Sequence, residues 1–413
     1  MTEITRGRAL LGSDFIDIGS SSQVVHKLDT RVPRQDRTAH EAAFGVVTAG
    51  LEPNWLDQQV RAIALTGRGG AHFPVATKWR AAQQADVGGW TLVVNASEGE
   101  PASGKDAALL QLRPHLVLDG AELAASMIGA DRVVIWLADE ARATLQSLRS
   151  ALAERRSGLT RAPEIVTTPE RYLAGESSAV IRAVHGGPPL PRTTMNPAQP
   201  WAGGPPVLVH NVETLARLGL LARTGSRSFE PSSLVTVTDG DRRFVAEVPA
   251  GETFSELFER AKVPVPQAVL LGGYGGEWVG WSELALLAVD PHALKEAGRS
   301  LGAGVLIALG RFDCGLEMTA SIAHWLADQS AGQCGPCRFG LPEVVELVSR
   351  LAGRRAGQRD LDRLHEKMAL VDGRGACRLP DGALRMIRSA LREFAAEIND
   401  HRYGRCLQQE QGR

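Results

Sequence analysis

The feature that most constrains this chain is the alternation of short β-branched runs and helical stretches between residues 91 and 167. Thr91 to Asn95, Arg132 to Leu137 and Glu164 to Thr167 are strand-sized. Between and around them lie Ala107 to Leu112, Gly120 to Ile128 and Glu140 to Arg155, which have helical character. A β-α-β-α-β order has no room for hairpins. It predicts a mainly parallel sheet with helices on both faces, the α/β class.

The pattern changes after residue 232. Leu234 to Thr238 reads as a strand, Asp239-Gly240-Asp241 as a hairpin turn and Arg243 to Val248 as the returning strand. A short helix, Thr253 to Lys262, and a strand, Ala268 to Leu271, follow, ended by Gly272-Gly273-Tyr274-Gly275-Gly276. A ββαβ unit of this size fits a small α+β insert. The remainder reads as helices: Ala320 to Gln329, Pro342 to Ala352, Asp360 to Val371, and a last helix whose Leu384, Ile387, Leu391, Phe394 and Ile398 form one apolar stripe. The expected division is a polar N-terminal extension (1–45), an α/β domain (46–232), the insert (233–300) and a helical domain (301–413).

Charge and hydropathy exclude several classes. The formal net charge is −1, so nothing favours nucleic acid or an anionic membrane. No apolar stretch reaches the ~18–20 residues that span a bilayer. Val133 to Ala138 and Gly302 to Gly310 are strand-sized instead. Met1 to Arg8 is polar and lacks a signal-peptide core. Five cysteines, an odd number in a long chain, do not suit an extracellular disulfide framework. The expectation is a cytoplasmic protein with no direct membrane insertion, membrane-peripheral only through partner subunits.

Several motifs carry chemistry. Gly67-Arg68-Gly69-Gly70-Ala71-His72-Phe73-Pro74, with Lys78-Trp79, offers backbone N–H groups and a cation to a phosphate, or is a plain loop. Asn95-Ala96-Ser97-Glu98-Gly99-Glu100-Pro101 follows a strand, where open α/β sheets bind ligands, or is an acidic turn capping the next helix. Tyr172-Leu173-Ala174-Gly175-Glu176 and His210-Asn211-Val212-Glu213-Thr214 each open a helix. Cys334-Gly335-Pro336-Cys337, with Cys377 beyond, suits a redox disulfide, a zinc site or an iron–sulfur site. No pair of histidines lies at zinc-ligand spacing. Cys314 and Cys406 read as ordinary core cysteines.

In this order, from about residue 45 to residue 400, these motifs resemble the FMN-binding, NADH-oxidising subunit of respiratory complex I, an NADH dehydrogenase. They also resemble the flavin subunits of NAD-linked hydrogenases and formate dehydrogenases. Lys105-Asp106 and Arg388-Ser389-Ala390-Leu391-Arg392 extend the likeness. The resemblance implies a Rossmann-like FMN-binding domain, a ubiquitin-like β-grasp insert of the soluble-ligand-binding type and a C-terminal helical bundle holding an iron–sulfur cluster. By resemblance, Gly67, Arg68, Gly69, Gly70 and Lys78 hold the flavin phosphate region, and Asn95, Glu98, Asn211 and Thr214 its ring or ribityl groups. Phe73, Glu100 and Tyr172 lie on the side of NAD(H), with Gly175 and Glu176 completing the site. Cys334, Cys337 and Cys377 hold a [4Fe–4S] or [3Fe–4S] cluster. The flavin carries the redox chemistry, so no residue is assigned a catalytic role. A ferredoxin-like or thioredoxin-like [2Fe–2S] protein is the expected partner.

The chain departs from that pattern at specific places. Ser97 stands for an aspartate, Glu176-Ser177 for paired glutamates, His72 for a glycine and Ala331 for the first cluster cysteine. Arg80-Ala81-Ala82 lacks the family's aromatic, and Arg192-Thr193-Thr194-Met195-Asn196-Pro197 replaces its basic–Pro–aromatic stretch. Each lost buried hydrogen bond costs about 1–3 kcal/mol. These losses fall more on NADH than on flavin. NADH oxidation and an assembly or electron-wiring role without it are therefore the two expectations.

Overall fold

In the computed structural model, residues 11, 15–17, 33–46, 52–85, 88–155, 159–192, 204–406 and 408 are described. Residues 193–197, singled out above, lie outside them. The chain divides into two units: Met1–Pro189 with Met195–Thr236 and Arg242–Ala250, and Leu190–Thr194 with Val237–Asp241 and Gly251–Arg413.

In the first unit, β1 (Phe15–Asp17) and helices α1 (Arg37–Phe44), α2 (Pro53–Ala62) and α3 (Val75–Gln84) precede the main sheet. Then come β2 (Trp90–Ala96), α4 (Lys105–Leu112), α5 (Pro114–Met127), β3 (Ala130–Ala138), α6 (Arg142–Glu154) and β4 (Glu164–Thr168). A 3₁₀ turn (Tyr172–Gly175), α7 (Ser177–Val184), β5 (Val207–Asn211) and α8 (Val212–Ser228) complete the series. The four strands are parallel and ordered β4-β3-β2-β5. The chain moves outward from β2 through β3 to β4, then returns to β2's other side. That reversal makes the gap between the C-terminal ends of β2 and β5 a topological switch point, where such sheets bind ligands.

Both sheet faces are apolar, as a fully covered parallel sheet requires. Leu92, Val94, Ile135 and Leu137 share a core with Leu116 of α5 and Leu215 of α8. The alternate residues Val93, Val134, Trp136 and Val209 pack with Val180 of α7. Helices α5 and α8 cross at backbone contact. A Cβ on Gly120 would lie 1.8 Å from the Leu215 carbonyl oxygen, and one on Gly219 2.4 Å from that of Leu116. Beside this crossing, the Asp119 carboxylate binds His40 Nε2 at 2.7 Å, Arg155 Nη2 at 2.6 Å and Arg223. Burial alone would raise the Asp119 pKa, but these groups hold it down to about 2.

Strands β6 (Ser232–Asp239) and β7 (Arg242–Pro249) form the expected hairpin, with Gly240 at φ +54° in its turn. β1 pairs antiparallel with β7, Ile16 opposite Val245. Helix α9 (Phe254–Arg260) starts at a capping box between Thr253 and Glu256. β8 (Ala268–Leu271) pairs antiparallel with both β9 (Glu277–Gly280) and, past α10 (Trp281–Leu284) and α11 (Pro291–Glu296), β10 (Val305–Leu309).

Five helices follow: α12 (Gly315–Asp328), α13 (Leu341–Ala352), α14 (Gln358–Val371), α15 (Leu379–Glu393) and α16 (Ala395–Arg402). α12 packs on α13 and α15, and α13 on α14. Two features differ from the sequence expectation. α12 begins at Gly315 rather than Ala320 because Cys314 caps it, its sulfur accepting from the Glu317 N–H. The stripe 384–398 is not one helix, since the chain breaks at Phe394 (φ −101°, ψ 31°). The break turns Glu397 and His401 inward. No described helix is long and apolar enough to cross a membrane.

Candidate cofactor site

The switch point brings together most of the residues singled out from the sequence. Asn95 and Asn211 stand side by side at the C-terminal ends of β2 and β5. Asn95 donates from Nδ2 to the Gly175 carbonyl at 2.8 Å, tying the 3₁₀ turn to the sheet. Asn211 caps α8 by accepting from the Glu213 N–H at 2.9 Å. The Gly67–Pro74 loop closes through a 2.9 Å bond from the Gly67 N–H to the Phe73 carbonyl. Its Arg68 N–H donates to Thr214 Oγ1 at 2.9 Å, seating the loop on the start of α8. Gly70 has φ +103°, which favours glycine.

Two further glycines fit because nothing larger would. A Cβ on Gly99 would lie 2.8 Å from the Tyr172 carbonyl oxygen, so the 98–100 turn and the 172 turn meet there. A Cβ on Gly175 would lie 2.3 Å from Ser97 Oγ. That hydroxyl is turned back onto Asn95 Oδ1 at 3.1 Å. Phe73, Glu100 and Tyr172 are half-buried on these turns.

Two acidic side chains here, Glu98 and Glu176, serve as helix caps. Glu98, at φ +39°, accepts from the Asp106 and Ala107 N–H groups at 3.0 and 2.8 Å, at the start of α4, and from Ser103 Oγ at 2.6 Å. Burial, then the Asp106 charge, raises its pKa to about 7. Glu176 caps α7, accepting from the Ser178 and Ala179 N–H groups.

A buried charge cluster underlies the loop. Lys105 Nζ donates to Glu213 at 2.7 Å, to Asp106 at 3.2 Å and to the Arg68 carbonyl at 3.2 Å. Arg217 Nε donates to Glu213 at 2.9 Å. Burial would raise the Glu213 pKa, but Lys105, Arg217 and Arg68 hold it down to about 2. Burial opposes the Lys105 charge too, yet Asp106 and Glu213 prevail and its pKa rises. Arg217 was not singled out from the sequence, although its i,i+4 spacing from Glu213 on a helix was a usable signal.

Lys78 donates from Nζ to the Val209 carbonyl at 3.1 Å. Among the described residues it has no carboxylate partner, and burial alone lowers its pKa. A shielded ammonium without a counter-ion, beside a glycine loop at a sheet switch point, fits an anionic phosphate group.

In the second unit, Cys337 lies in a π-helical turn (Pro336–Gly340) that leads into α13. Burial first, then Cys334 and Cys377, pushes its pKa up to about 12, so the three cysteines are neighbours. Three nearby thiols suit iron–sulfur ligation, and Ala331 adds none. Cys314 and Cys406 are buried in the core, as expected. They share a fully buried cluster with Glu397 and His401, and the Glu397–His401 i,i+4 spacing was the overlooked sequence signal.

Two family descriptions match the chain. Residues 60–219 match the Nuo51 FMN-binding domain, and residues 317–401 the NADH-ubiquinone oxidoreductase-F iron-sulfur binding region. The F 2 subunit of NADH-quinone oxidoreductase from Rhizobium meliloti (strain 1021) is 29% identical over 377 residues, covering 84% of this chain and 89% of the relative. The NADP-reducing hydrogenase subunit HndC of Solidesulfovibrio fructosivorans is 27% identical, covering 83% of this chain and 75% of the relative. The solved structure of an NAD+-reducing [NiFe]-hydrogenase in the H2-reduced state superposes with a TM-score of 0.77 at 26% identity over 85% of this chain. This chain spans 62% of that one. Fold and matched regions define a flavin- and iron–sulfur-binding electron-transfer class. Within it, the chain is similar to NADH-quinone oxidoreductase F subunits, which it resembles across both matched regions.

Proposed function

We propose that this chain is an electron-transfer oxidoreductase subunit that passes electrons from NADH, or another donor, through FMN to an iron–sulfur cluster and a protein acceptor. When bound, FMN accepts hydride and releases electrons singly, and the cluster takes up one electron at a time. The chain's own residues bind and orient these groups. The N–H groups of Gly69 and Gly70, with Lys78, hold the flavin phosphate, while those of Gly67 and Arg68 shape and seat the loop that presents them. Asn95, Glu98, Asn211 and Thr214 line its polar side, while Phe73, Glu100, Tyr172, Gly175 and Glu176 border the nucleotide. Cys334, Cys337 and Cys377 ligate the cluster, a [3Fe–4S] or a [4Fe–4S] whose fourth iron takes a non-thiolate ligand.

The observation that carries this reading is the convergence of the glycine loop, Lys78 and the paired Asn95 and Asn211 at one switch point. We read residues 233–300 as a β-grasp insert and 301–413 as a helical bundle. The acceptor is read as a ferredoxin-like or thioredoxin-like [2Fe–2S] protein, and the location as cytoplasmic and membrane-peripheral. A second reading, an assembly or electron-wiring role without NADH oxidation, is favoured by Ser97. Its hydroxyl is spent on Asn95, where the family places a carboxylate.

Lys78→Met tests the flavin site. FMN titration by fluorescence quenching is expected to show affinity at least tenfold weaker (roughly 1.4 kcal/mol or more), with unchanged circular dichroism. Unchanged affinity would place the phosphate elsewhere.

A further inference from the structure

We infer that Cys314, Glu397, His401 and Cys406 form a closed metal site that takes one zinc ion, independent of the three cluster cysteines. Their ligand atoms all lie within 4.8 Å of one another, and their exposures are 5%, 2%, 0% and 3%. The donor set of two sulfurs, an imidazole and a carboxylate suits tetrahedral zinc, and four protein ligands leave no open position.

Local geometry supports the assignment. Glu397 and His401 are four residues apart on α16, so they share one face, and Cys406 lies just past that helix. Cys314 enters from the start of α12. Cys314 Sγ and His401 Nε2 are 3.6 Å apart. Ligands at about 2.3 and 2.0 Å on a tetrahedral zinc stand roughly 3.5 Å apart. Glu397 Oε1 is 3.8 Å from His401 Nε2. Cys314 Sγ and Glu397 Oε1 stand closer than two zinc ligands would, at 2.6 Å, with the thiol donating to the carboxylate. Metal entry replaces that proton and the one on Cys406, and both leave to solvent.

The surroundings orient and neutralise the ligands. His401 Nδ1 lies 3.0 Å from the Leu351 carbonyl, which only accepts. Nδ1 therefore carries a proton, and Nε2 is the nitrogen presented to the metal. Two thiolates and a carboxylate around a divalent ion leave a net charge of about −1. The N-terminus of α12 faces that charge: the Gly315 and Leu316 N–H groups donate to Glu397, both at 3.3 Å, and the Glu317 N–H to Cys314 Sγ at 3.3 Å. The cysteines join the end of the chain to a helix some eighty residues earlier, so the ion acts as a structural clasp.

Elemental analysis of the full chain, purified with its iron, tests the site. One zinc per chain is expected, retained in Cys334→Ser/Cys337→Ser/Cys377→Ser, which loses the iron. His401→Gln/Cys406→Ser is expected to lose the zinc and keep the iron. Should that variant fail to fold, cobalt substitution of the wild-type chain supplies the readout: thiolate-to-cobalt charge transfer and intense tetrahedral d–d bands. Folded wild-type chain that binds neither zinc nor cobalt stoichiometrically overturns the assignment. So does zinc that vanishes with the three cluster cysteines, or iron in place of zinc. None of these outcomes depends on flavin binding.

Discussion

Glu98 shows how much one side chain is asked to do at the C-terminal edge of the parallel sheet. Its backbone is left-handed, and both carboxylate oxygens serve the start of α4. An unfolded glutamate titrates near 4.5, whereas burial and Asp106 raise the folded value to about 7. Between those pH values the folded chain keeps a proton that the unfolded chain has released. Stability of the flavin-free chain therefore falls as pH rises through this window, by up to about 3 kcal/mol, less where water reaches the half-buried side chain. Glu98→Gln removes the titration, at a cost of about 1 kcal/mol for one lost capping acceptor. Urea unfolding at several pH values is expected to give a flatter stability profile for the variant. Equal slopes would contradict the assignment. The sequence left this glutamate open between ligand and helix cap, because caps and ligand-binding turns draw on the same residues at strand ends. The capping role is what its hydrogen bonds display.

Elements were legible wherever local pattern and tertiary packing agreed. The strand–helix alternation foretold the parallel sheet, and Asp239-Gly240-Asp241 the hairpin. What stayed hidden depends on partners far along the chain. Gly120 and Gly219 look unfavourable inside helices, yet they let α5 and α8 touch backbone to backbone. Gly120→Ala drives a methyl into the Leu215 carbonyl. It is expected to destabilise the first unit by about 3 kcal/mol, read as a lowered urea midpoint. A midpoint within experimental error of wild type would mean that the crossing is looser than described. The Cys314 cap was illegible because cysteine is not among the usual N-cap residues. The even apolar stripe of 384–398 concealed the break at Phe394. A polar pair facing inward violates the helix pattern, and such violations mark sites more often than errors.

At the scale of the whole molecule, the first unit supplies the switch-point edge with its glycine loop and the second supplies the cysteines. Residue types and spacing flagged both segments, because glycine loops and Cys-x-x-Cys runs are local in sequence, but the flavin and the cluster were implied only by the family resemblance. The charge cluster of Lys105, Glu213 and Arg217 was less visible, since its members meet only once α4 and α8 have packed. The central claim is that one chain holds both a flavin and an iron–sulfur cluster, with electrons entering from a soluble donor. An anaerobic reductive titration of the full, iron-reconstituted chain, followed together by visible absorbance and EPR, tests it most directly. The expected result is flavin absorbance that bleaches on adding NADH, or dithionite if another donor serves, accompanied by an iron–sulfur EPR signal. A folded chain showing neither flavin absorbance nor an iron–sulfur signal would contradict the claim.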